Sequence, residues 1–193
     1  GTDELGRDVL SRIMDGARLT LAVVLGAVGL SALIGIPLGI YAGMRNSKLV
    51  MGASDLLLAF PALLLAIVFT AVFGASIWIV VLAIGLAGIP GFVRVARVGT
   101  IQVMSQDYIL AARMAKLSGP AIARRHVLPN IAHLLTTQAT VAIALAILAE
   151  AGLSFLGLGA PAPHASWGRM LQASQPYLAT DPYLAIWPGL AIA

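Results

Sequence analysis

The sequence predicts an all-α polytopic membrane protein, and three observations predict it. Hydrophobic residues make up 60% of the 193 and charged residues 10%, with a mean hydropathy of +0.95. A water-facing surface takes roughly a quarter charged residues. Several runs without a charged side chain reach or exceed the roughly 20 residues that cross a bilayer as helix. Lys and Arg collect between those runs. Cysteine is absent, which excludes disulfides, thiolate metal sites and cysteine nucleophiles together. The net charge of +4 needs no nucleic-acid partner, since that reading requires a basic face on a soluble fold.

Residues 1–18 read as an outer interfacial amphipathic helix. Leu5, Val9, Leu10, Ile13, Met14 and Ala17 share one face, with Arg7, Asp8, Ser11, Arg12, Asp15 and Arg18 largely opposite. Asp8 and Arg12 stand in the favourable i,i+4 order. The spacing predicts a helix lying on the membrane surface, with substrate gating as the functional alternative. Spans are expected at about 19–44, 56–73, 77–93 and 131–149, with Gly74, Ala75 and Ser76 turning the chain between the second and third. Residues 183–193 read as a truncated fifth span. The absence of an initial methionine and that cut-off helix predict an internal piece of a longer protein.

Gly35, Gly39 and Gly43 recur every four residues and predict close helix packing along one face of the first span. Gly85, Gly88 and Gly91 lighten the third, and Pro61 and Pro90 are expected to bend the second and third. No Asp, Glu, Lys or Arg falls inside the expected spans, where ion-coupled pumps place their relays. His133 alone titrates there, and reads more naturally as a hydrogen-bonding group than as a proton relay.

Enzymatic readings find little. No G-x-x-x-x-G-K-[ST] motif occurs, so the chain holds no nucleotide site of that kind. His126 and His133 are seven apart with no acid in an H-E-x-x-H arrangement, so no metal site is expected. Ser154 with His133 is the best hydrolase pair, but Ser154 lacks G-x-S-x-G spacing and an orienting acid. No catalytic residue is assigned.

Alternation of sides groups 45–55 with 94–126, which hold eight of the twelve bases and two acids. The other side holds four bases and six acids. Positive charge is retained on the cytoplasmic side, which makes 94–130 a cytoplasmic loop. Within it, 101–117 reads as a helix with Ile101, Met104, Tyr108, Ala111, Ala112 and Ala115 on one face. Ser118, Gly119 and Pro120 break it. A second short helix, 120–127, is expected to end before Pro129, with Asn130 capping the next span. Such a knuckle suits either another protein's groove or the lipid headgroups.

These residues resemble a known family. Asp107-Tyr-Ile-Leu-Ala-Ala-Arg113, then Ser118-Gly119 and Arg125-His-Val-Leu-Pro-Asn130, resemble the "EAA" loop of permease subunits in binding-protein-dependent ABC importers. Gly1-Thr-Asp-Glu-Leu-Gly-Arg-Asp8, Asp55 with Phe60-Pro61, the Glu150 to Gly159 run and Ser166-Trp-Gly168 extend the likeness to the C-type permease of the dipeptide, oligopeptide and nickel group. Two positions depart from the pattern: Lys116 stands where glycine is usual, and Leu110 where an acid is common. The resemblance implies a type I ABC transporter transmembrane domain that pairs with a second permease subunit in the lipid bilayer. It implies no cofactor in this chain, with ATP and Mg on two ATP-binding subunits, and an extracytoplasmic solute-binding protein that delivers substrate. Di- or oligopeptides are the first expectation, nickel or another small solute the next. The implied ATPase-docking loop comprises Asp107, Tyr108, Ala111, Ala112, Arg113, Lys116, Leu117, Ser118, Gly119, His126, Leu128 and Pro129. Ala111, Ala112, Ser118 and Gly119 are expected to make its closest contacts, and Pro129 to set its angle. An ion-coupled or passive transporter is the alternative, and an intramembrane hydrolase a more distant one.

Overall fold

The first helix begins where Asp8 caps it. The Asp8 carboxylate accepts from the Ser11 hydroxyl at 2.7 Å and the Ser11 backbone N–H at 2.9 Å, the usual office of an aspartate at this position. Those two bonds hold its pKa below the ordinary carboxylate value. The structure, a computed structural model, describes residues 1–3, 5–161 and 164–193. Glu4, part of the first motif and of the charge balance, lies outside the described residues.

From that cap α1 runs unbroken over Val9–Arg45, about 55 Å at 1.5 Å per residue. This corrects the separate surface helix over 1–18: helix begins only at Val9, and nothing between Ala17 and Leu21 interrupts it. The Asp8–Arg12 pair is corrected too. Asp8 is occupied by the cap, and the Arg12 guanidinium lies 3.6 Å from Asp3. Pro37 is carried inside the helix, which ends at Asn46 in the left-handed region (φ 50).

Ser47 caps α2, Lys48–Leu58. After Phe60 and Pro61 the chain resumes as α3, Ala62–Phe73, bent 79° from α2. The span expected at 56–73, with a bend at Pro61, is broken there into two helices. Proline has no N–H to continue the ladder and disfavours helix in the residue before it. Gly74, at φ 89, turns the chain into α4, Ile77–Met104. This helix continues 11 residues beyond the expected end of the third span at Val93, carrying Arg94 and Arg97 with it.

α1 and α4 run parallel, back to back. A Cβ on Gly35 would meet Phe92 and the Ile89 carbonyl at 2.7 and 2.9 Å; one on Gly43 would meet Thr100 at 2.6 Å; one on Gly39 would strike Val93 and Ala96. From α4, Gly85 and Gly88 return the contact against Leu30 and Ser31. The Ser31 hydroxyl donates across the seam to the Gly85 carbonyl at 2.6 Å. Small residues let the two backbones approach, which lipid alone would not drive.

Beyond the loop region, α7 spans Leu128–Phe155 and lies antiparallel to α4, with Ile131 and Leu134 on Gly99 and Gln138 on Gly91. Its last turn closes through Gly157 at φ 80. The helix extends past the expected limit at Ala149, which places Glu150 within its body. Glu150 is 2% exposed. Its carboxylate accepts from the Thr20 hydroxyl of α1 at 3.1 Å and from Ser154 at 2.7 Å. The expectation that no acid lies inside a spanning helix is corrected at this residue. His133 points outward, exposed, and its carbonyl accepts from Thr136 and Thr137.

Two short helices complete the same end. α8, Trp167–Ser174, hangs from α1 by the Trp167 indole N–H, which donates to the Ile13 carbonyl at 3.0 Å. Gly168 seats α8 against Ala151 and Ser154. α9 covers Tyr183–Ile192. Among the described residues there is no strand, only an isolated bridge between Thr2 and Asp8.

Candidate functional site: the knuckle between α4 and α7

The polar stretch between the third and fourth spans folds as two short helices on a shared apolar base. α4 ends at Met104, and Ser105 and Gln106 turn the chain into α5, Asp107–Met114. The continuous helix expected over 101–117 is thus broken. The break rotates the apolar face: Ile109 and Ala112 turn inward, at 0% and 8% exposed, while Tyr108 and Ala111 turn outward.

α5 closes with a Schellman motif. The Leu117 N–H reaches the Ala112 carbonyl at 3.1 Å and the Lys116 N–H reaches Arg113 at 2.9 Å, and Lys116 itself takes φ 57. That left-handed position is the one glycine usually fills. The departure noted in the sequence therefore falls on a backbone constraint, not on a packing contact, and the Lys116 side chain is exposed. The half-buried Leu117 folds back onto the apolar base.

Ser118 leads into α6, Gly119–Ile122, then a π-helical turn over Ala123–Val127, then α7 without interruption. This corrects the expected helix end before Pro129. The wide turn carries the chain past the proline: the Leu128 N–H bonds back to the Ala123 carbonyl, and Pro129 falls in the first turn of α7. Its missing N–H is one a first turn does not need. Asn130 is not a cap. Its side-chain amide donates to the His126 carbonyl at 2.6 Å.

Ile109, Ala112, Ile122, Val127 and Ile131 form the base, joined by Ile40, Ala96 and Val103 from α1 and α4. The Tyr108 and His126 rings lie 6.0 Å apart, linking α5 to the π turn. Outside this base stand Asp107, Tyr108, Ala111, Arg113, Lys116, Ser118, Gly119, Leu128 and Pro129, all exposed. The structure gathers every residue of the expected loop into one projection, but Ala112 serves its interior and not its surface. Sequence reasoning left Leu110 and Met114 out of the loop's contact set; 57% and 85% exposed and one turn apart, they make an apolar outer face. The i,i+3 spacing of Ile109 and Ala112 was the available signal for the inward face.

The model of the binding-protein-dependent transport system inner membrane component family matches residues 31–193. The chain belongs to that family. As such it is a multi-pass inner membrane component, with three helices among the described residues long and apolar enough to cross and a fourth crossing if the broken pair counts as one. A putative peptide transport system permease of Brucella suis is 41% identical over the whole chain, which covers 66% of that protein. The di/tripeptide transport system permease of Pseudomonas aeruginosa and a glutathione transport system permease of Escherichia coli are each 40% identical over the whole chain, which covers 64% of either. The chain spans just under two thirds of the length of these relatives. Among solved structures, the inward-facing MetNI methionine ABC transporter superposes with a TM-score of 0.80 at 16% identity, covering 99% of this chain and 91% of that one. The fold is that of a type I ABC transporter transmembrane domain.

Proposed function

We propose that this permease forms half of the pathway of an ATP-driven importer of small peptides, with the knuckle as the element that receives motion from the ATPase. A second permease subunit completes the pathway, two ATP-binding subunits carry ATP and Mg, and an extracytoplasmic solute-binding protein delivers the peptide. The knuckle end faces the cytoplasm, in keeping with its eight bases. The observation that carries the reading is the pairing of a solid apolar base with an exposed apolar outer face at Leu110 and Met114. A projection built so transmits a push as a rigid body, and such an exposed face marks a protein contact. Peptides are chosen because the relatives above carry peptide and glutathione in their names.

The test uses the full permease assembled with its partners in proteoliposomes. Ala111→Glu, on the outer face, should leave insertion intact while lowering ATPase co-purification and peptide uptake by about tenfold. Unchanged uptake and co-purification would remove the docking role.

A further inference from the structure

Beside the knuckle, α1 and the α6–π segment flank an open cavity of about 560 Å³, whose lining includes Gly119 and Leu128 of the loop. Ile36, Ile40, Tyr41 and Met44 of α1 form one wall, with Ala123 and Leu128 opposite. Two guanidinium-bearing side chains, Arg45 and Arg124, stand at it from the two sides, and no acidic residue lines it. Neither arginine has a hydrogen-bond or ion-pair partner among the described residues. The cavity is thus apolar in its body, and the charge at its lining is positive.

We propose that this groove holds one anionic phospholipid of the leaflet on the knuckle side, its phosphate between Arg45 and Arg124 and an acyl chain along Ile40 and Ile36. Charge complementarity selects an anion, and the apolar wall selects one with a hydrocarbon tail. Dimension agrees. Arg45 to Ile36 is nine residues of helix, about 14 Å, close to half of the roughly 30 Å hydrocarbon core. Arg45 sits at the end of α1, where a cation meets the headgroup layer, and half-exposed Tyr41 lies one turn deeper, as an interfacial aromatic does. A protein segment would meet the apolar wall but leave both arginines to find acids. The lipid joins α1 to the π turn, so it braces the knuckle against α1. The inference goes beyond the transport reading and does not require it.

The experiment is native mass spectrometry of the full permease within its assembled transporter, released from detergent and titrated with dioleoyl phosphatidylglycerol, dioleoyl phosphatidylcholine or glycerol phosphate. One phosphatidylglycerol per permease copy should bind, with the other two probes weaker by at least tenfold. Arg45→Gln with Arg124→Gln should weaken phosphatidylglycerol by about thirtyfold, roughly fivefold for each arginine. Lys48→Gln, which removes one positive charge at an exposed site nearby, should not weaken it. Met44→Trp fills the groove with both arginines kept, and should also displace the lipid. Three results would overturn the proposal. One is undiminished phosphatidylglycerol binding in the arginine pair, and another is equal binding of glycerol phosphate, which marks a free-phosphate site. The third is no binding to the unaltered transporter, which marks a groove already covered by protein.

Discussion

The two ends of the helical bundle are held by opposite means. At the knuckle end, Ile109, Ala112, Ile122, Val127 and Ile131 make a dry base and the charges stand outside it. At the other end a carboxylate is on the inside: Glu150 takes hydrogen bonds from Thr20 and Ser154, and Trp167 and Arg169 donate to the Ile13 and Ala160 carbonyls. Apolar packing is non-directional, and through Ile40, Ala96 and Val103 the knuckle's base is continuous with α1 and α4. Hydrogen bonds are directional, and an unmade one in a buried site is costly. The knuckle end is therefore held by close apolar packing, and the Glu150 end by bonds that keep α1, α7 and α8 in one arrangement.

The sharpest way to break this contrast is to put a charge into the dry base. Ala112→Glu should destabilise the permease by about 3 kcal/mol or more, since a carboxylate would be buried with no partner. Thermal unfolding and proteolysis within 105–127 should both show it, in contrast to Ala111→Glu one residue away. At the polar end, Glu150→Ala should cost about 2 to 3 kcal/mol by stranding two hydroxyls and leaving a void. Glu150→Gln, which keeps one acceptor and gains a donor, should recover most of that in the same melting experiment; equal loss in both variants would assign the cost to charge, not to hydrogen bonding. Lys116→Gly should raise stability by about 1 kcal/mol, because glycine takes φ 57 without the Cβ penalty. No change in melting would mean that the left-handed turn is not the limiting strain. The smallest effect belongs to the exposed Asp55–Arg94 bridge at 2.7 Å. Asp55→Asn should cost less than about 1 kcal/mol, read as a small shift in melting that vanishes at high salt.

Much of the bundle was legible because membrane helices are long and uncharged, and a run of missing charges is easily seen. Breaks were harder. Pro61 does end a helix while Pro37, Pro90 and Pro129 do not, and residue type alone does not tell these apart; at Pro129 it is the π turn before it that decides. The 1–18 segment misled because its amphipathic pattern is the same whether a helix lies on a membrane or begins to enter one. Glu150 was missed for a related reason: an acid just past an apolar run reads as a boundary, yet Thr20, 130 residues earlier, supplies a partner that only the tertiary fold reveals. At the knuckle, the short helices were visible from glycine and proline, but a two-residue break at Ser105 and Gln106 turned the face by enough to separate Ala111, outside, from Ala112, inside.

The glycine seam between α1 and α4 bears on how such a molecule changes shape. Two helices separated by a layer of flexible side chains slide, because rotamers adjust as one passes the other. Gly35, Gly39 and Gly43 remove that layer and set backbone directly on Phe92, Val93 and Thr100, so the pair behaves as a two-ply beam. The backbone breaks that the beam lacks lie elsewhere: the 79° elbow between α2 and α3 at Phe60 and Pro61, and the Ser105–Gln106 turn at its far tip.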